Sequence, residues 1–180
     1  MDRQPTLEGE RLLLRTLRQE DWDALYAVAS DPLVWEQHPQ HDRWREDVFS
    51  AFFKDALAKG GAIAVIDTAS GGVVGSSRWE RFDPADGGYV EIGWTFIARS
   101  HWGGRFNSEL KRLMLEHALQ FVECVGFRVG EGNWRSRRAM EKIGGRLTDR
   151  TTLEDTASGK VVHVQYEITR EDFAKGPLAT

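Results

Sequence analysis

An apolar strand pattern from Tyr89 to Ile97, a glycine-bearing turn at Arg99–Asn107, an amphipathic run from Ser108 to Glu123 and a short apolar stretch at Phe127–Val129 follow one another directly. Along the run, Leu110, Leu113, Met114, Ala118, Phe121 and Val122 recur at helical spacing and share one face. A strand, a turn, a helix and a strand in that order form a βαβ crossover, which requires its two strands to lie parallel. The neighbouring segments predict the opposite. Ala62–Ile66 and Val73–Trp79, joined across Ser70-Gly71-Gly72, read as an antiparallel hairpin, and a second turn at Asp83–Gly88 leads into the Tyr89 strand. A sheet that holds both kinds of pairing must therefore be mixed.

The remaining elements fill in that frame. Arg11–Leu17 reads as a strand and Asp21–Ala29 as a helix with Trp22, Leu25 and Val28 on its apolar side. A longer helix is predicted over Arg43–Lys59, and the aromatic, turn-rich stretch Asp31–His41 between the two fits neither periodicity. Arg135–Ile143 reads as a short helix stopped by Gly144-Gly145, and the last two strands fall near Arg146–Leu153 and Val161–Ile168. The order is βααβββαβαββ. It predicts one α/β domain of the mixed α+β kind over residues 1–180, with a core at 7–169 and a tail at 170–180. A mostly antiparallel sheet of about seven strands would carry helices on both faces. Ligands in such sheets sit at the carboxyl ends of strands where the pairing changes, which points to Ile97–Asn107.

Composition narrows the function classes. A chain of 180 residues, 41% hydrophobic and 29% charged, buries enough surface to fold without disulfides or a structural metal. Cys124 is the single cysteine, which favours a reducing compartment and the reading of a small buried hydrophobe at the end of the amphipathic helix. The net charge of −4 argues against a non-specific nucleic-acid binder. No uncharged run approaches the ~20 apolar residues of a membrane span. Met1-Asp2-Arg3-Gln4-Pro5 lacks the basic-then-apolar order of a secretory signal, so a cytoplasmic protein is expected. His38, His41, His101 and His163 show no ligand spacing, and no metal is expected. His117 reads as a partnered core histidine.

The segment Trp102-Gly103-Gly104-Arg105-Phe106-Asn107-Ser108-Glu109 stands at the strand-to-helix junction. The orphan amides and dipole of a helix start favour phosphate there, although two glycines equally mark a plain tight turn. The chain has no GxxxxGK[ST], GxGxxG or GxSxG motif, which disfavours nucleotide triphosphate cradles, dinucleotide cradles and a nucleophile elbow.

Glu91-Ile92-Gly93-Trp94, Trp102-Gly103-Gly104 and the stretch Asn133-Trp134-Arg135-Ser136-Arg137-Arg138-Ala139-Met140-Glu141-Lys142-Ile143-Gly144-Gly145 occur in the order that marks one family. The chain resembles a GNAT-superfamily acyl-CoA-dependent N-acyltransferase, similar to the branch of ribosomal-protein N-terminal acetyltransferases, from Leu7 to Ile168. The resemblance implies acetyl-CoA as co-substrate, a primary amine as acceptor and a sheet splayed between its fourth and fifth strands. It places the coenzyme pyrophosphate at the amides of Gly104–Ser108, within the loop Trp102, Gly103, Gly104, Arg105, Phe106, Asn107 and Ser108. Arg105 and Asn107 stand where the pattern has glycine and glycine or alanine, so Arg105 either lends its guanidinium to phosphate or obstructs the cradle. Thr95, Phe96 and Ile97 would pair with pantetheine, with core packing as the alternative for Trp94 and Phe96. Asn133 would hold pantetheine or cap its helix, and Arg138, with Arg135 and Arg137, would meet phosphates or form a solvated face.

The chemistry requires a deprotonated amine, a stabilised carbonyl oxygen and a protonated leaving thiolate. Glu91, the one carboxylate in an otherwise apolar strand, is the candidate base, with a solvent-facing edge glutamate as the alternative. A backbone amide near Trp94 or Thr95 would face the oxygen by analogy. Relatives often protonate the thiolate with a tyrosine that is absent here, and Ser136 resembles the serine that serves instead. The acceptor groove of the fold would be framed by Asp31–His41, with Trp35, His38 and His41, and by Glu154–Lys160, with Glu154 and Asp155, which suits a cationic amine on an apolar or planar body. Two other functions fit the residues: an idle acyl-CoA-binding sensor or scaffold, and an RNA-associated module using Arg135–Arg138. A homodimer is compatible with the acetyltransferase reading.

Overall fold

The computed structural model describes residues 1–156 and 159–179. Its strands are β1 (Leu7–Glu8), β2 (Leu12–Thr16), β3 (Ala62–Asp67), β4 (Val73–Asp83), β5 (Tyr89–Ile97), β6 (Cys124–Gly130), β7 (Arg146–Thr156) and β8 (Gly159–Thr169). Its helices are α1 (Trp22–Ala29), α2 (Glu46–Lys59), α3 (Phe106–Ala118), α4 (Trp134–Lys142) and α5 (Arg170–Lys175). One sheet contains all eight strands in the order β1-β2-β3-β4-β5-β6-β8-β7. Every neighbouring pair is antiparallel except β5 and β6, the two strands joined through α3.

Alternation along the strands distributes side chains to two cores. On β3, Ile63 and Val65 join a cluster with Leu110, Met114 and Met140 of α3 and α4, while Ala62 and Ala64 join Leu25, Phe49 and Phe53 of α1 and α2. Helices therefore cover both faces. Glu109 ties the layers together: its buried carboxylate accepts the amides of Arg11 at 2.8 Å and Leu12 at 3.1 Å, at the start of β2.

Several predicted boundaries move. The longer early helix begins at Glu46 rather than Arg43, and α3 runs from Phe106 to Ala118 rather than from Ser108 to Glu123. The apolar pattern continues past Ala118 because Leu119 and Val122 still face the core from a turn, and Arg170 donates to both their carbonyls at 2.9 and 3.2 Å. The predicted Phe127–Val129 strand extends to Cys124–Gly130, so Cys124 opens β6, only half-buried, instead of ending a helix. Residues 170–175, set apart as a tail by pattern, form α5 under a capping box of Thr169 and Asp172, with Phe173 packed on the core. His117 is partnered as expected, its ring tilted against Trp79 at 5.5 Å and in contact with the Asp2 carbonyl at 2.6 Å.

Two irregularities of β5 prepare a site. Pairing with β6 covers only Tyr89–Cys124, Val90–Val125 and Glu91–Gly126, after which the strands part. Gly126 is required at that last pair, since a Cβ there would lie 1.9 Å from the Tyr89 hydroxyl. On the other edge, Ser76 pairs with Phe96 but Arg78 with Gly93, so Ser77 alone faces both Trp94 and Thr95. Trp94 carries the bulge at φ +52°, a strained value for a bulky residue, with its ring flanked by Arg78 at 5.0 Å and Arg81 at 5.8 Å.

Candidate active site

Where β5 and β6 part, a cavity of about 690 Å³ opens between them. The strands supply its inner walls, the turn before α3 one rim and the start of α4 the other. Among the described residues no carboxylate lines it, whereas Lys111, Arg128, Arg135, Arg138 and Lys142 do. Thr95, Phe96 and Ile97 line the wall along the edge of β5 that β6 has left. Phe96 is also 4% exposed and packed among Trp35, Phe49 and Phe52, as its core-packing reading expects.

The turn before α3 is organised by its tryptophan. Trp102 Nε1 donates to the Ile97 carbonyl at 2.9 Å, and the Arg135 guanidinium stacks over its ring at 4.1 Å, which links the two rims. Gly103, at φ +70°, Gly104, Asn107 and Ser108 line the cavity beside the first turn of α3, whose leading amides have no intrahelical partners. Arg105 and Phe106 do not line it. Arg105 is the exposed residue preceding α3, and Phe106 packs on the His101 ring at 4.5 Å, because α3 starts two residues earlier than its polar pattern suggests.

On the opposite rim, the Asn133 side chain caps α4 by accepting the Ser136 amide at 3.2 Å. That cap holds Ser136 at the cavity wall, and among the described residues its hydroxyl has no hydrogen-bond partner. Arg138 is exposed at the mouth. Arg137 faces elsewhere, donating to the Tyr166 hydroxyl at 3.1 Å and to the Glu131 carbonyl at 3.0 Å.

Glu91 lies in a smaller cavity of about 110 Å³ that shares His38, Pro39, Gly93, Trp94, Arg128 and His163 with the large one. Its carboxylate accepts from Arg81 at 2.6 Å and from Arg128 Nε at 3.0 and 3.1 Å. Burial nonetheless pushes this acid up to about 7, against the pull of Arg81. It is not the solvent-facing glutamate of the alternative reading. Of the residues expected to frame an acceptor, His38 and Glu154 line the small cavity. Trp35 is buried, with its indole donating to the Ala29 carbonyl at 2.8 Å; His41 lines neither cavity; and Asp155 is 81% exposed and paired with Lys160. Residues 157 and 158 of the Glu154–Lys160 segment lie outside the described residues.

Residues 11–146, well over half of the chain, match the family model described as an acetyltransferase (GNAT) domain. The chain belongs to the GNAT acetyltransferase family. Solved GNAT structures share its fold. An acetyltransferase from Bacillus anthracis is 23% identical at a TM-score of 0.75, covering 93% of this chain and 99% of that one. RimJ of Mycobacterium smegmatis, in complex with CoA-disulfide, is 17% identical at 0.71, covering 93% and 86%. Spermidine N-acetyltransferase of Vibrio cholerae, in complex with CoA and spermine, is 16% identical at 0.65, covering 92% and 99%.

The GNAT domain holds three site residues that pattern alone did not single out. Arg128 bridges the two cavities from β6. His163 lines both, its buried Nδ1 without a hydrogen-bond partner and 3.7 Å from Glu154 Oε2. Lys111 is 2% exposed and donates to Thr95 Oγ1 at 2.7 Å. A signal for it existed: Lys111 shares a helical face with Met114 and Ala118, where a cation breaks an apolar stripe.

Proposed function

We propose that this GNAT domain transfers the acetyl group of acetyl-CoA to a primary amine, on a small molecule or a protein N-terminus, by direct attack in a ternary complex. One observation carries the reading: a cavity with five basic residues and, among the described residues, no carboxylate opens between parted parallel strands, beside the start of a helix. It suits a long ligand whose phosphates are anionic and whose arm can pair with a strand edge. Arg138, Lys142 and the first turn of α3 meet the phosphates, Gly103 and Gly104 let them approach the backbone, and the β5 edge at Thr95–Ile97 pairs with the pantetheine amides. Two structures of similar fold hold CoA or CoA-disulfide, which supports coenzyme A as the ligand.

The residues then divide the chemistry. The amine nitrogen bonds to the acyl carbon and gives one proton to Glu91, whose affinity near 7 suits a base at neutral pH. The carbon–sulfur bond breaks, and the sulfur keeps the electron pair and takes a proton by way of the Ser136 hydroxyl. The acceptor reaches the acyl group through the small cavity, where Glu91 and Glu154 favour an amine over an anionic nucleophile. Thiol release from acetyl-CoA over peptide N-termini, polyamines, aminoglycosides and amino acids, with product mass, tests the reading. Release with a primary amine and a product heavier by one acetyl group is expected; coenzyme binding without release for any amine would leave the sensor function.

A further inference from the structure

Lys111 is a lysine in the interior with no anion beside it among the described residues. It is 2% exposed, and among the described residues no carboxylate lies within ion-pair distance. Its Nζ has one hydrogen-bond acceptor, Thr95 Oγ1 at 2.7 Å, and the Phe127 ring at 5.6 Å; an ammonium has three donors. Thr95 belongs to the bulge of β5, Phe127 to the first residues of β6 past the last strand pair, so Nζ sits where the two strands begin to part. Thr95 Oγ1 lies 2.7 Å from Ser77 Oγ, which donates to the Gly93 carbonyl at 3.3 Å, so the lysine is anchored to the bulge on both sides of Trp94. Burying an unpaired charge is expensive, and a methionine of similar length would fill the same space. The other cations of this cavity are accounted for differently: Arg128 pairs with Glu91, Arg135 stacks on Trp102, and Arg138 and Lys142 are exposed at the mouth where phosphates fit. Of the five, Lys111 alone is buried.

We propose that the Lys111 ammonium, held by Thr95, is the positive charge that meets the negative charge developing on the acyl oxygen of the thioester during transfer. The inference rests on the acyl-CoA reading above. A charge placed in advance in a water-poor cavity stabilises the transition state more than the neutral thioester, so Lys111 acts on turnover more than on coenzyme affinity. Burial also draws its proton affinity down to about 7, so the ammonium fades as pH rises past neutrality. The groups facing the cavity that also titrate or carry charge are Arg128 of β6, Arg135, Arg138 and Lys142 of α4, His163 of β8, His38 of the loop before α2 and His101 of the turn before α3, and among the described residues none is an acid that would hold the lysine charged.

The test needs no acceptor. Acetyl-CoA carries a neutral acyl group, and S-carboxymethyl-CoA carries a carboxylate one carbon further from the sulfur, within the same end of the cavity. By calorimetry at pH 6.5, wild-type protein is expected to bind the carboxymethyl compound more tightly. Lys111→Met should weaken that compound by about ten-fold while acetyl-CoA changes less than about three-fold, and Lys111→Arg should restore most of the preference. The wild-type preference should shrink by pH 9. Equal loss of both affinities in Lys111→Met, or no loss of either, would overturn the assignment, as would a preference that ignores pH; circular dichroism melting confirms that each variant is folded. Failure of wild-type protein to bind either compound would instead remove the acyl-CoA reading, and this proposal with it.

Discussion

Replacing Ser136 by alanine removes one hydroxyl from the cavity wall and leaves α4 capped, because the cap uses Asn133 and only the backbone amide of Ser136. If that hydroxyl protonates the departing sulfur, kcat falls by about 10²-fold with the KM for acetyl-CoA within a few-fold, as steady-state thiol release would show; an unchanged kcat would take Ser136 out of the mechanism. Glu91 differs in that its effect is read against pH. Its affinity for a proton is raised by burial, so the basic form gains through about pH 7, and kcat/KM should climb across that range. In Glu91→Gln the climb is lost and activity returns only at high pH, where free amine is abundant; coincident profiles would make Glu91 structural. Lys111→Met has a stability consequence of its own. The folded state holds this proton less tightly than the unfolded chain does, so the cost of the buried charge is full below about pH 7 and fades toward pH 10. The variant should therefore be more stable in urea unfolding, by roughly 2–5 kcal/mol at pH 6 and by less at pH 9.

At the level of elements, α4 is short and its start bears on the site. The Asn133 cap satisfies an orphan amide of a nine-residue helix and sets Ser136 against the wall. Asn133→Ala should cost about 1 kcal/mol in urea unfolding and also raise the KM for acetyl-CoA, while Asn133→Asp should keep the stability. A variant that loses stability with no change in KM would show that the cap serves the fold alone. The bulge in β5 is the other local device. It places a tryptophan at φ +52° between two guanidiniums and turns the strand edge toward the cavity at the point where Lys111 anchors.

On the scale of the whole molecule, the uneven distribution of charge sets the response to ligand and salt. The chain has a net charge of −4, yet its large cavity is lined by five basic residues and no acidic ones among those described. Coenzyme A at about 100-fold its Kd should stabilise the fold by about 2.7 kcal/mol, a rise of roughly 5–10 °C in Tm for a domain of this size. Raising the salt from 50 to 500 mM should reduce that rise, since the phosphates meet exposed Arg138 and Lys142. No shift at millimolar coenzyme would remove the proposed ligand.

The alternation of strand patterns around one long amphipathic helix determined the mixed sheet, its single parallel pair and the position of the cavity, because periodicity and crossover handedness are properties of a continuous segment. Glu91 stood out as a candidate for the same reason, as the one carboxylate in an otherwise apolar strand, whereas Ser136 was reached only through the resemblance of Asn133–Gly145 to the family pattern. The partners of those residues were not legible. Arg128 is 37 residues from Glu91, and Arg135 reaches Trp102 across the mouth from a different element. The reach of the cradle was also decided late: α3 begins at Phe106, whose ring packs on His101, and Arg105 and Phe106 do not line the cavity. Lys111 marks the division most clearly. A lysine in an apolar stripe is visible in sequence, but its lack of an anion is a fact about every element packed around it, and charge compensation in a folded chain is settled only by which side chains the tertiary structure brings within a few ångströms.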